Sequence, residues 1–135
     1  MTKNNKFQII AEIASNWNGS EILGKKIIKQ ASQSGADYVK FQMWKALDLY
    51  ETTNPNWNEI KKSEMTSNTA KKFKKYSDSL GIDCIWSVFY PEAVQLLENL
   101  DVSLYKIASR TSALMDSNSL ETLKAIAKTK KPVII

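Results

Sequence analysis

A chain of 135 residues with 43% hydrophobic and 24% charged side chains falls within the range of one globular domain and outside the disordered classes. The single cysteine, Cys84, excludes an intrachain disulfide framework. The absence of histidine excludes Cys/His zinc sites and histidine-dependent triads. The net charge of +5, from 19 basic and 14 acidic residues, makes a modest positive field that suits a small anionic substrate.

The lysines gather at Lys71, Lys72, Lys74 and Lys75, and again at Lys128, Lys130 and Lys131. Solvated helix faces and helix C-termini account for both groups. No aromatic residues alternate with them and no binding motif accompanies them, so nucleic acid is not an expected partner. The N-terminal stretch Met1–Lys6 is polar and runs into too few apolar residues for a signal peptide or a membrane span. A cytoplasmic protein with no membrane partner is the expectation.

The first strand is expected over Phe7–Ile13, with Phe7, Ile9, Ala11 and Ile13 on one side and Gln8, Ile10, Glu12 and Ala14 on the other. Ser15–Gly19 has turn chemistry, Ser20 suits an N-cap with Glu21 in the first turn, and Gly24, Ile27, Ile28 and Ala31 recur at helical spacing up to Gly35. Gly35–Gln42 is the second strand. Met43–Met65 reads as a long polar connection carrying Trp44 and Trp57, and such connections are often functional. A helix with Ala70, Phe73, Tyr76 or Ser77, and Leu80 follows and stops at Gly81. Ile82–Phe89 is the third strand. Pro91 opens a helix lined by Ala93, Leu96, Leu97 and Leu100, and Val102–Ala108 is the fourth strand. After a polar loop at Ser109–Ser119, Leu120, Leu123 and Ala127 mark a last helix, and Pro132–Ile135 a fifth strand.

Strictly alternating strands and helices mean parallel strands with right-handed crossovers, as in a doubly wound sheet or a (β/α)8 barrel. Charge placement separates the two. Counted from the helix ends at Gly35, Gly81 and Asp101, the fifth residues are Lys40, Trp86 and Lys106, which puts both lysines at matching depth. If Val39, Phe41, Tyr105 and Ile107 meet the helices, both lysines and Glu12 face the other way. That side is covered by helices in an open sheet but is the interior near the mouth of a barrel. The expected fold is α/β, the N-terminal half of a (β/α)8 TIM barrel, with residues 1–135 forming a partial barrel domain of about five strands.

Glu12, Lys40, Ser87, Lys106 and Ser109 each fall near the C-terminal end of a strand. Two ammonium groups and two hydroxyls on one mouth suit phosphate or carboxylate oxygens, with Glu12 as counter-ion or acid/base. The same lysines are open to a Schiff-base aldolase chemistry, and a non-catalytic anion-binding half-barrel is a third reading.

Four segments in this order resemble the sialic acid synthases: Ala11–Gly19, Gly35–Gln42, Tyr105–Ser109 and Lys131–Ile135. The resemblance implies a transferase that condenses phosphoenolpyruvate with N-acetylmannosamine or a related amino sugar, giving a nine-carbon 2-keto acid and phosphate. It implies that Lys40, Ser87, Lys106 and Ser109 hold phosphoenolpyruvate and that Glu12 is the catalytic or substrate-orienting acid. It further implies a divalent metal, Mn2+ or Mg2+, whose ligands lie on strands outside this chain. The C-terminal half-barrel and an antifreeze-like cap domain are also expected to be absent, as is full activity of the chain alone. The resemblance also implies a homodimer for the full-length family, and self-association or a supplied second half is expected here. Two positions depart from the family pattern: Trp17 stands where histidine is common, and Thr111, after Arg110 rather than a glycine, stands where an acidic residue is usual.

Overall fold

The computed structural model describes residues 7–135, so the expectation for Met1–Lys6 lies outside the described residues. Five parallel strands form one sheet in the order β1-β2-β3-β4-β5: β1 Ile10–Ala14, β2 Tyr38–Met43, β3 Asp83–Val88, β4 Tyr105–Lys106 and β5 Val133–Ile134. The helices are α1 Glu21–Gln33, α2 Ala46–Leu49, α3 Trp57–Lys62, α4 Ser67–Ser79, α5 Pro91–Glu98, α6 Ser109–Ser112 and α7 Ser119–Thr129.

Local chemistry sets most of the boundaries. The Ser20 hydroxyl accepts from the Leu23 amide at 3.2 Å and starts α1; the Thr66 hydroxyl accepts from the Thr69 amide at 3.1 Å and starts α4. Pro91 occupies the first turn of α5, where its missing N–H costs nothing. Gly35 and Gly81 take φ of +84° and +68° past the ends of α1 and α4, a region glycine enters without strain.

One sheet face carries the main core. Val39, Phe41 and Met43 of β2, Cys84, Trp86 and Val88 of β3, and Tyr105 of β4 pack against Ile28, Ala70, Phe73, Ala93, Val94, Leu97 and Ile126 from the helices. Phe41 stacks on Phe73 at 4.8 Å between ring centroids and lies 6.2 Å from Trp86. Ile107 belongs to the same core, so the four residues expected to meet the helices all do. Glu12, Lys40, Gln42, Ser87 and Lys106 take the opposite face, as the two-residue pleat requires. Sequential strand order with the core helices on one face is the arrangement of a β/α-barrel segment, since a doubly wound sheet reverses its order and buries both faces.

Three expectations change in detail. The first strand begins at Ile10 rather than Phe7, because the Asp37 carboxylate accepts from the Ile9 amide at 2.8 Å and closes the ladder there; Phe7 and Ile9 are exposed. A bulge then shifts the register between Glu12 and Ala14. The fourth strand shrinks to Tyr105–Lys106, flanked by single backbone bonds to Pro132 and Ile134.

The long connection after β2 is ordered by its own hydrogen bonds. It folds into α2 and α3, and the Glu64 carboxylate caps the Ala46 amide at 2.8 Å while accepting from Lys61. The Trp86 indole N–H donates to the Met65 sulfur at 3.1 Å inside the core. Among the described residues, no helix is long and apolar enough to cross a membrane.

Candidate functional site

Glu12 and Lys40 are register partners on β1 and β2, and their side chains form an ion pair. Lys40 Nζ also donates to the Ser87 hydroxyl of β3 at 3.1 Å. Lys40 and Ser87 are 7% and 2% exposed, so the ammonium is held in a largely water-free position by two partners. Glu12 is half exposed and meets solvent on its far side.

Ser87 is in turn the register partner of Lys106, whose Nζ donates to the Ile107 carbonyl at 2.6 Å. Among the described residues Lys106 has no carboxylate partner, which leaves it with unspent positive charge beside Ser87. Ser109 is the first residue of α6, past the end of β4, and exposed. No hydrogen bond among the described residues joins its hydroxyl to the other four.

The matching depth expected for the two lysines is not what the ladder shows. Lys40 lies level with Ile85, while Lys106 lies level with Ser87 and Gln42, two residues further along. Phe41, Trp86 and Tyr105 are aligned, yet they stand six, five and four residues after Gly35, Gly81 and Asp101. Each connection into its strand is one residue shorter than the last, so a constant count from the helix end misses the register. Trp86, taken as the third member of that series, therefore lands on the helix face, fully buried. Both lysines remain on the open face because their offset is two residues, one full pleat.

Gln42 was not singled out beforehand, although its parity with Lys40 is legible in the strand. Its side-chain carbonyl accepts from the Trp44 indole N–H at 3.2 Å, level with Ser87 on the open face. Two more arrangements frame the mouth. Lys45 lies 4.3 Å from the Tyr90 ring centroid and 3.6 Å from Glu92, linking the β2 and β3 exits. Burial, and then the nearby carboxylates of Glu64, Glu92 and Asp48, push the Tyr90 hydroxyl above its ordinary range. After β4, Arg110 grips Asp116 through two bonds of 2.8 and 2.5 Å, and that hydrogen-bonded carboxylate raises the guanidinium further.

The two departures from the expected pattern are both buried. Trp17 is buried in the helix-side core with its ring edge-on to Phe73 at 5.5 Å. Thr111 is 1% exposed, and its hydroxyl has no hydrogen-bond partner among the described residues.

The metal implied by the resemblance can be tested against the donors present. Among the described residues, no three His, Cys, Asp or Glu side chains gather into a cluster, and Glu12 is engaged by Lys40. These residues do not fit a divalent cation, which needs several oxygen or nitrogen ligands.

Known proteins are similar to this chain in sequence and in fold. The N,N'-diacetyllegionaminic acid synthase of Campylobacter jejuni is 33% identical over 96% of this chain, and the uncharacterized protein MJ1065 of Methanocaldococcus jannaschii is 32% identical over 94%. Human N-acetylneuraminate-9-phosphate synthase is 29% identical over 94%. The chain spans only 42%, 36% and 38% of these relatives' own lengths, respectively. Among solved structures, the spore coat polysaccharide biosynthesis protein spsE of Bacillus subtilis matches with a TM-score of 0.74 and 28% identity, over 97% of this chain and 36% of its own. The N-acetylneuraminic acid synthetase of Leptospira borgpetersenii shares the fold, with a TM-score of 0.77 at 21% identity over 96% of this chain and 53% of that one. The NeuB family matches residues 27–135, through the strands that carry Lys40, Ser87 and Lys106, and the chain belongs to that family.

Proposed function

We propose that this chain supplies the phosphoenolpyruvate-binding part of a sialic acid synthase-like transferase. The observation that carries the reading is the open sheet face: a buried ammonium at Lys40 bonded to Ser87, with the carboxylate-free Lys106 next to it. A phosphate and a carboxylate on one small molecule match two cations separated by one pleat. Such a clamp acts by positioning and by neutralising charge. Ser109, one turn beyond β4, adds a further donor on this reading.

In the proposed reaction, carbon 3 of phosphoenolpyruvate bonds to the aldehyde carbon of an N-acetylated amino sugar, and the aldehyde oxygen takes a proton to become a hydroxyl. Water adds at carbon 2, and cleavage of the carbon–oxygen bond there releases inorganic phosphate and leaves the 2-keto acid. Glu12 stands beside Lys40, where its carboxylate can hold or pass a proton. The names of two relatives, an N,N'-diacetyllegionaminic acid synthase and an N-acetylneuraminate-9-phosphate synthase, support an acidic N-acetylated sugar as the class of product. A Schiff-base reading is less well supported, because Lys40 has the acidic and hydroxyl partners of a positioned cation rather than the apolar surroundings of a nucleophilic amine.

Titration calorimetry with phosphoenolpyruvate tests the proposal. Lys40→Ala and Lys106→Ala should each weaken binding at least about tenfold with circular dichroism unchanged. The fold should survive Lys40→Ala because the carboxylate it leaves behind, Glu12, is half exposed and can hydrate. Affinity unchanged in both variants would return the lysines to a structural role.

A further inference from the structure

The positive charge of the chain is concentrated on two neighbouring helices. Helix α1 carries Lys25, Lys26 and Lys29 with one carboxylate, Glu21. Helix α4 carries Lys71, Lys72, Lys74 and Lys75 with one carboxylate, Asp78. Seven lysines against two carboxylates make an excess of +5, which is the net charge of the whole chain, so the remaining residues sum to zero. Both carboxylates are engaged, Glu21 by Lys72 and Asp78 by Lys74, and the other five lysines form no ion pair among the described residues.

Packing joins the two helices into one surface. Gly24 lets α1 close directly on Phe73 of α4. Lys72 reaches Glu21 across the seam, and Lys25 lies 5.7 Å from the Tyr76 ring centroid, so side chains fill the space between the helices. Lys26 and Lys29 lie opposite the buried Gly24 and Ile28, and Lys71 and Lys75 opposite the buried Phe73 and Ser77. All four therefore point outward and are exposed. Ile22 stands one turn before Lys26 and is 84% exposed. A thirteen-residue helix is about 20 Å long, and the Debye length at physiological salt is about 8 Å, so the potentials of these lysines add. Four lysines on one helix read as a solvated face; three more beside them make a field.

The chemistry of the ridge selects its partner. Its cations are all lysines, ammonium point charges that suit a diffuse layer of anions, and neither helix has the arginine fork that suits defined phosphate pairs. The ring at the seam, Tyr76, lies beneath Lys25 and is not offered to a stacked base. The filled seam gives a protein partner no groove in which to anchor side chains. A lone exposed isoleucine among lysines suits the interface of a bilayer, where an apolar group enters the headgroup layer and cations meet anionic lipid.

We propose that the α1–α4 ridge is a docking surface for an anionic phospholipid bilayer, held by its lysines with Ile22 as the inserted side chain. The contact is peripheral and needs no spanning helix. It is independent of the proposed function, because α1 and α4 cover the Val39 and Phe41 side of the sheet and Lys40 faces the other way.

Co-sedimentation of the 135-residue chain with phosphatidylcholine vesicles, with and without phosphatidylserine, tests the proposal. Binding should require phosphatidylserine and weaken steeply as salt is raised. The joint variant Lys26→Gln, Lys29→Gln, Lys71→Gln and Lys75→Gln should bind at least about tenfold more weakly. These side chains are exposed, so circular dichroism of the variant should match the parent's. Lys128→Gln with Lys130→Gln, at the far end of α7, should leave vesicle binding unaltered. No binding to phosphatidylserine vesicles, equal binding to both kinds, full binding by the four-lysine variant, or an equal loss in the α7 control overturns the proposal. Retention of the chain by poly-glutamate or duplex RNA without vesicle binding would assign the ridge to another polyanion and overturn it as well.

Discussion

Phe73 lies between the face of Phe41, 4.8 Å away at an 18° tilt, and the edge of Trp17 at 5.5 Å, with no solvent exposure. It also closes over Gly24 of α1, where an added Cβ would overlap its ring. Phe73→Ala should therefore cost about 3–5 kcal/mol, and Gly24→Ala about 1–3 kcal/mol by overpacking, both read by urea denaturation. Tyr105 gives a pH signature. Its hydroxyl donates to the Glu98 carboxylate at 2.8 Å and lies 3.2 Å from the Val94 carbonyl. Burial first, and then that carboxylate, raise the phenol above its ordinary value. A raised value means the neutral phenol is the form the fold favours. Its contribution is fully present below the unfolded tyrosine value near 10 and is lost as the pH rises beyond it. Tyr105→Phe should cost about 1 kcal/mol at neutral pH and flatten the alkaline limb of the stability profile; an alkaline limb identical to the parent's would refute this assignment.

At the scale of elements, capping and loop anchoring do separable work. Thr66 caps α4, so Thr66→Ala should lower stability by about 1 kcal/mol and thermal midpoint by a few degrees. Glu64 instead holds the connection after β2 through the Ala46 amide. Glu64→Ala should leave global stability nearly unchanged while the Ala46 amide loses hydrogen-exchange protection, a local opening rather than a global one. Two of the four lysines of α4 are in ion pairs, Lys72 with Glu21 of α1 and Lys74 with Asp78 one turn on. Hydrogen bonding to Lys72 sets the Glu21 carboxyl below its usual range. The sign follows directly: a depressed acid stabilises above its unfolded value, and the benefit fades as pH falls through the lowered one.

For the molecule as a whole, the sheet leaves β1 and β5 each with one neighbour among the described residues. On the proposed reading, the remaining strands of a barrel complete the mouth. Mixing this chain with the complementary part of a relative should raise phosphate release from phosphoenolpyruvate and amino sugar well above that of either piece, and a colorimetric phosphate assay measures it. Saturable turnover by the chain alone would refute the dependence on a second half.

Periodicity and local chemistry made much of this architecture readable in advance. Ser20, Pro91, Gly35 and Gly81 mark their helix ends because capping and backbone preference act within a few residues. The side of the sheet taken by Glu12, Lys40 and Lys106 follows from strand parity, which is equally local. Register and contact were another matter. The offset between Lys40 and Lys106 depends on connections that shorten by one residue from strand to strand, and no single segment records that difference. The bond from Lys40 to Ser87 spans 47 residues, and a small cleft walled by Trp44 and Tyr50 exists only because Glu64 and Met65 fold the connection back on itself. Residue types and faces were set by short-range physics; which groups meet was decided by packing at long range.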